Sequence, residues 1–150
     1  MLYSRLVSAD LFLRFPTLNI HPALLPAFKG MNAVGQVLDA GVKFMGATLH
    51  LTTEKMDDGS ILAQVVSPIK NGTSRAQADR LSFLQKTYLM LVALDAVKSK
   101  LINISQAEEF ISWPADTEFT CSANPCIPSG ELRSRFNDFQ MSLGMSGAIK

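Results

Sequence analysis

Two stretches of partly alternating apolar and polar residues predict a pair of β-strands in the middle of the chain. Residues 44–53 and 60–69 are rich in β-forming side chains, and their alternation approaches the period of two that a half-buried strand requires. The connecting segment, Glu54 to Gly59, carries three acidic side chains and ends in glycine. Acidic residues and glycine favour turns, so we predict two strands joined by an acidic turn.

Longer apolar periodicities predict helices. The strongest pattern covers residues 74–100 and places one apolar stripe along a helix, formed by Ala78, Leu81, Leu84, Tyr88, Leu91 and Val92. Weaker patterns predict short helices at residues 7–15, 32–40 and 131–143. We expect the longest helix to pack on the sheet that contains the predicted strands.

The composition predicts one globular domain that does not attract a binding partner through its net charge. Of 150 residues, 47% are hydrophobic, and 14 Lys and Arg against 13 Asp and Glu give a formal net charge of +1. This balance offers no basic field that would attract nucleic acid. No apolar run approaches the roughly 20 residues that a membrane-spanning helix needs, and the N-terminus lacks a signal-peptide pattern. We therefore expect a cytoplasmic protein that binds neither nucleic acid nor membrane.

The two cysteines do not predict a metal site. Cys121 and Cys126 flank a turn-like Ser-Ala-Asn-Pro segment. No second cysteine pair or nearby histidine completes a zinc ligand set, so free, reduced thiols and no bound metal are expected.

Polar side chains at the end of a short predicted strand carry the candidate chemistry. Residues 17–21 favour a strand that ends at Pro22. Asn19 and His21 are two residues apart, so their side chains share one face of this strand. Two N–H donors aimed at one carbonyl oxygen would stabilise the negative charge that develops in acyl transfer. Asp57, on the acidic turn, is placed to act as the histidine's carboxylate partner and to accept or relay a proton.

Four segments of the chain carry longer motifs. Residues 19–30 read Asn-Ile-His-Pro-Ala-Leu-Leu-Pro-Ala-Phe-Lys-Gly, and residues 46–50 read Gly-Ala-Thr-Leu-His. Residues 56–64 read Met-Asp-Asp-Gly-Ser-Ile-Leu-Ala-Gln, and residues 4–8 read Ser-Arg-Leu-Val-Ser. In this order the segments resemble the folate-dependent formyltransferase family, most closely its members that formylate glycinamide ribonucleotide in purine biosynthesis.

The resemblance implies a function for each matching residue. The implied catalytic residues are Asn19, His21 and Asp57. The residues implied in folate binding are Arg5, Val7, Thr52, Thr53, Glu54 and Asp57. Supporting residues are implied at His50, Pro22 and Gly30. The implied formyl donor is 10-formyltetrahydrofolate, the acceptor is a small-molecule primary amine, and no metal takes part.

Residue patterns alone leave His50 open, because a histidine on an alternating strand is equally typical of a core. The resemblance implies an α/β fold, namely the C-terminal portion of a Rossmann-like formyltransferase domain with a short mixed sheet packed by helices. We assign this portion to residues 1–104 and a C-terminal extension to residues 105–150.

The sequence departs from the family pattern on the amine side of the implied site. No segment matches the glycine-rich loop that holds the acceptor's phosphate, and Phe83 and Lys86 stand where the family has polar residues. In the family this loop belongs to a further half of the sheet. Without that half of the sheet, the strand at residues 18–21 is expected to leave a sheet edge open. A second copy, a partner chain or residues 105–150 would have to cover it.

Three functions are consistent with these observations. Formyl transfer to an amine requires Asn19, His21 and Asp57, and hydrolysis of the same donor requires the same three residues with water as acceptor. A non-enzymatic folate-binding or interaction module is the alternative that the departures favour.

Overall fold

The computed structural model describes residues 14–100, 103–104, 111–112 and 123–149. Its elements in chain order are β1 (Leu18–His21), α1 (Ala33–Asp39), β2 (Phe44–Leu51), β3 (Ile61–Pro68), α2 (Arg75–Lys98), β4 (Asn103–Ile104), β5 (Ile111–Ser112) and α3 (Gly130–Ser142). The ends of the predicted strands and helices within these residues are confirmed to within two residues. The helix predicted at residues 7–15 lies almost wholly outside the described residues.

β1, β2 and β3 form an antiparallel sheet with β2 in the centre. The sheet was expected to be mixed, but a single parallel bridge, between Gln64 and Ala123, is all the parallel pairing that the described residues contribute. β1 lies at one edge of the described sheet, as expected. The α/β architecture itself is confirmed.

α2 begins where its sequence can satisfy the first free N–H groups of a helix. The Ser74 side chain accepts a hydrogen bond from the Gln77 N–H, and the Gln77 side chain accepts one from the Ser74 N–H. This reciprocal capping box stabilises the first turn. The apolar stripe then packs over β2 and β3, and the core cluster there includes Ala47, Leu49, Ala63, Val65, Leu84, Leu89 and Val92.

β2 is buried on both faces, and the two faces make different contacts. Its odd-numbered residues, Met45, Ala47 and Leu49, belong to the apolar core clusters. Side chains alternate along a strand, so the even-numbered residues point to the other face of the sheet. There Thr48 contacts the loop that follows β1, and His50 contacts β1 itself. β2 therefore links the core to the ends of β1.

The described part of the C-terminal extension packs into the same core as the sheet. Ile127, Phe136 and Ile149 are buried in the cluster that α2 covers. Asn124 pairs with β3, because its N–H donates to the Gln64 carbonyl at 2.7 Å and its Oδ1 accepts the Val66 N–H at 2.8 Å. This segment thus lies against the β3 edge and not against β1. The domain boundary at residue 104 stays a prediction.

Within the described residues, the structure contains no helix long and apolar enough to cross a lipid bilayer.

Gly46 is a position where the sheet and the loop after β1 approach each other closely. A Cβ atom at Gly46 would lie 2.3 Å from the Val65 carbonyl oxygen and 2.5 Å from Leu24 Cδ2. We predict that Gly46→Ala lowers the free energy of unfolding by about 1–3 kcal/mol, since backbone and side chain must both shift. Urea denaturation measures the change. Gly130→Ala is the matched control, because a Cβ there meets nothing within 4 Å. Equal stability of the two variants would contradict the close approach.

Candidate active site

β1 brings Asn19 and His21 to the site with different exposure. The strand ends at His21, where Pro22 follows and its missing N–H interrupts sheet pairing. His21 is buried, with 4% of its surface exposed, whereas the Asn19 residue is exposed. Asn19 is therefore accessible to a molecule outside the fold, and His21 lies beneath the surface.

Thr48 fastens the loop after β1 to the sheet. Its hydroxyl donates to the Ala23 carbonyl at 2.7 Å and accepts the Leu25 N–H at 3.0 Å. Gln64 of β3 donates from Nε2 to both Thr48 Oγ1 and the Leu25 carbonyl, each at 3.0 Å. Because Thr48 is fully buried, these bonds are protected from water. They fix the start of the loop that later presents Phe28 and Gly30.

The Asp57 carboxylate is held between this loop and His21. Its Oδ2 accepts the Gly30 N–H at 2.8 Å and lies 3.3 Å from His21 Nδ1. Only 8% of the Asp57 side chain is exposed. Asp57 has a φ of 53°, a left-handed conformation that Asp adopts more readily than most residues. The turn thereby directs a buried carboxylate at the histidine.

Both ring nitrogens of His21 face oxygen atoms. Nδ1 faces the Asp57 carboxylate, and Nε2 lies 2.8 Å from the Phe28 carbonyl oxygen. A carbonyl oxygen only accepts hydrogen bonds, so the hydrogen bond to Phe28 requires a hydrogen on Nε2. An N–H of His21 was predicted to face a substrate oxygen, but the Nε2–H faces the Phe28 carbonyl oxygen in the structure.

His50 lies on the opposite side of the Asp57 carboxylate. Its Nε2 is 3.8 Å from Asp57 Oδ1 and 3.1 Å from Asn19 Nδ2, and its Nδ1 is 2.9 Å from the Leu51 carbonyl oxygen. Burial lowers the pKa of His50 below its ordinary value, and this effect outweighs the neighbouring Asp57 charge. The two histidines therefore differ: His21 faces two acceptors, and His50 faces one acceptor and one amide.

Asp58 lies outside this cluster, although it adjoins Asp57 in sequence. It forms ion pairs with Lys29 and Lys55. The hydrogen bond from Lys29 is the main reason that the pKa of Asp58 is lowered, and Lys55 adds to the effect. This geometry agrees with the interpretation that Asp57, and not Asp58, belongs to the candidate site.

The predicted folate-binding residues are only partly within the described chain. Arg5 and Val7 lie outside it. Thr52 is half-buried and its N–H donates to the Thr17 carbonyl at 2.8 Å, while Thr53 and Glu54 are exposed on the loop after β2. Their contact with folate stays a prediction.

The structure gathers Asn19, His21, His50 and Asp57 in one place, with Gly30 as a backbone donor to Asp57. Pro22 ends β1 and makes no polar contact with the cluster that the structure describes. The Phe28 carbonyl could not be predicted from the sequence, since a backbone acceptor has no residue signature. The pairing of Asn19 with His50 could not be predicted either, because only the strand register reveals it.

Comparison with known proteins identifies the family of this chain. The sequence profile described as formyl transferase matches residues 1–93. The chain belongs to the formyl transferase family. Phosphoribosylglycinamide formyltransferase of Bacillus subtilis (strain 168) is 50% identical over 64 residues, which are 41% of this chain and 33% of that protein.

Solved structures of formyl transferase relatives share the fold. Glycinamide ribonucleotide transformylase 1 from Symbiobacterium toebii superposes with a TM-score of 0.61 and 34% identity, over 69% of this chain and 50% of that one. A formyltetrahydrofolate deformylase from Pseudomonas syringae pv. tomato gives 0.60 and 28%, over 69% of this chain and 35% of that one. The chain therefore spans at most half of the length of each of these three relatives.

The lowered pKa of His50 makes the stability of this formyl transferase chain depend on pH. Below the ordinary value of 6.5, the unfolded chain binds a proton at His50 that the folded chain resists. We predict that the free energy of unfolding falls as the pH is lowered from about 7 to about 5. The fall should be smaller in His50→Gln, which has no group to titrate there. Urea denaturation at both pH values measures the free energy of unfolding. An equal fall in the unmodified chain and in His50→Gln would contradict the prediction.

Proposed function

We propose that this chain carries the formyl-donor side of a formyltransferase site and supports transfer of a formyl group from 10-formyltetrahydrofolate to a primary amine. The observation that carries the proposal is the contact of Asp57 with His21, 3.3 Å apart and next to Asn19. Resemblance to formyltransferases of purine biosynthesis supplies the substrate class, and the cluster supplies chemistry that fits it.

The donor set fits a formyl oxygen. Asn19 is an exposed residue, and its amide N–H is a suitable donor for a carbonyl oxygen that becomes negative. In the proposal His21 offers its Nε2–H to the same oxygen, which replaces the Phe28 carbonyl as acceptor. The exchange is between two carbonyl oxygens, and the new hydrogen bond strengthens as the formyl oxygen becomes negative.

Asp57 has the proton-handling task in the proposed reaction. The amine nitrogen attacks the formyl carbon, a new C–N bond forms, and the bond from carbon to the folate nitrogen breaks. The amine loses a proton and the folate nitrogen gains one. Asp57, held by the Gly30 N–H, keeps His21 charged through the step and helps to move this proton, directly or through water.

Hydrolysis of the formyl donor is the second candidate function. The same three residues would act, and water would replace the amine. The observation that favours it is the similarity to a formyltetrahydrofolate deformylase, whose TM-score of 0.60 nearly equals the 0.61 of the transformylase. Comparing formyl release with and without amines separates the two reactions.

Asp57 and Asp58 provide a matched pair of variants for the test. We predict that Asp57→Asn lowers formyl-transfer turnover by roughly 10²- to 10⁴-fold, the range typical for loss of a proton-transfer group. Asn keeps the shape and tolerates the left-handed backbone. Asp58→Asn, which changes an exposed neighbour paired with Lys29 and Lys55, should retain nearly full turnover.

Calorimetric titration with a folate analogue accompanies this assay. Asp58→Asn should bind the analogue as the unmodified chain does. Asp57→Asn should lose less binding than turnover, since Asp57 is implied both in folate binding and in proton transfer. If the unmodified chain neither binds the analogue nor releases formyl, both enzymatic proposals fail and a non-enzymatic interaction module remains. Unchanged turnover in Asp57→Asn would refute the mechanism.

We also propose that a second copy of the chain covers the outer edge of β1. The described C-terminal segment lies against β3, so this segment does not cover the outer edge of β1. Two identical edge strands can pair about a twofold axis. We predict a molar mass of twice 16.4 kDa by light scattering at micromolar concentration. A mass of 16.4 kDa under these conditions would exclude self-association and leave a different partner chain or the rest of the C-terminal extension to cover this edge.

A further inference from the structure

His50 and Asn19 form a cross-strand pair inside the candidate site. They lie directly opposite each other in the antiparallel pairing of β1 and β2. His50 is 2% exposed, and its Nε2 is 3.1 Å from Asn19 Nδ2. Asn19 is exposed at its outer side. A buried ring thus contacts an amide that a substrate can reach.

The hydrogen positions on His50 follow from its partners. Nδ1 lies 2.9 Å from the Leu51 carbonyl oxygen, which can only accept, so Nδ1 carries a hydrogen. A neutral imidazole has one N–H, so Nε2 is then an acceptor. The Asn19 group that faces Nε2 must donate, and this identifies it as the NH₂ end of the amide.

The surroundings of His50 favour this neutral form. Burial opposes a charge on the ring, and the nearby charges of His21 and Lys29 oppose it as well. Asp57 Oδ1, 3.8 Å from Nε2, acts in the opposite direction, as does the hydrogen bond to Leu51. Burial is the largest of these effects and lowers the pKa of His50, so the ring is neutral near pH 7.

We propose that His50 is a positioning residue whose unprotonated Nε2 accepts one N–H of Asn19 and thereby turns the second N–H of that amide toward the reacting carbonyl oxygen. The amide is planar, so fixing one N–H fixes the direction of the other. A donor held in place before the reaction needs no reorganisation as charge develops. The hydrogen bond stands on the structure alone, and only its use in catalysis rests on the proposed function.

The hydrogen bond can be tested without any turnover. Long-range ¹H–¹⁵N spectra of histidine-labelled protein distinguish the two neutral tautomers and the imidazolium. The chain has two histidines, so a His21→Gln spectrum assigns both. We expect His50 to be protonated at Nδ1 and unprotonated at Nε2 near pH 7. An Nε2–H tautomer or a charged ring at this pH would overturn the proposal.

Activity measurements test whether the hydrogen bond acts through Asn19. His50→Leu removes the acceptor, and we expect kcat for formyl release to fall by about 10-fold or more, toward the 10²- to 10³-fold known for losing a whole donor. His50→Gln places an amide oxygen near the position of Nε2 and should recover most of kcat. Binding of a folate analogue should change little in either variant.

A double-mutant cycle separates positioning from a structural effect. In an Asn19→Ala background, His50→Leu should lower kcat no further, because the amide that it orients is absent. Additive losses, or full kcat in His50→Leu alone, would overturn the proposal. Thermal unfolding identifies a variant that has lost its fold, and the tautomer measurement on the unmodified protein then decides. If the unmodified protein shows no turnover, the proposed function fails. The tautomer measurement then still shows whether His50 Nε2 can accept the hydrogen bond from Asn19.

Discussion

The register of β1 against β2 is the constraint on which the candidate site depends. It places Asn19 opposite His50 and His21 opposite Thr48. The first pair forms the hydrogen bond within the site, and Thr48 holds the loop that follows His21. A slip of one residue would turn every β1 side chain to the other face of the sheet. One strand pairing therefore sets both the donor side chains and the loop that carries their backbone partners.

The Asp57 turn completes this arrangement at a local cost. A left-handed conformation at a residue other than glycine is uncommon, and Asp57 combines it with a nearly buried carboxylate. The Gly30 N–H and His21 satisfy that carboxylate. Phe28, two residues before Gly30, is also left-handed, with a φ of 56°, and it directs its carbonyl to His21. These two left-handed residues thus lie on the two segments that meet at the histidine, as expected where function competes with local preference.

Much of this could be predicted from the sequence because its signals are local. Alternation predicted the strands, the apolar stripe predicted α2, and spacing placed Asn19 with His21. Contacts across strands could not be predicted in the same way. The pairing of Asn19 with His50 needs the register, which depends on packing along the whole strand.

The packing of the C-terminal segment was also beyond local signals. Prolines interrupt the apolar periodicity of this segment. The ring centroids of Phe136 and Tyr88 nevertheless lie 5.1 Å apart, and the Tyr88 hydroxyl donates to the Pro125 carbonyl at 2.7 Å. These contacts attach α3 to α2. They join residues far apart in sequence, so each pattern taken alone is too weak to predict them.

The attachment of α3 bears on the acceptor in the proposed reaction. Phe83 makes an edge contact with Phe139 of α3, with ring centroids 6.5 Å apart. The formyltransferases that this chain resembles have a polar residue at the position of Phe83. The ring is still 47% exposed, so this face of α2 offers apolar surface. A phosphate gains no hydrogen bond from an aromatic ring and loses water beside it. Within the proposed function, Phe83 itself therefore offers no contact to a phosphorylated acceptor, and a phosphate at this face of α2 would depend on Arg80, which lines the same cavity.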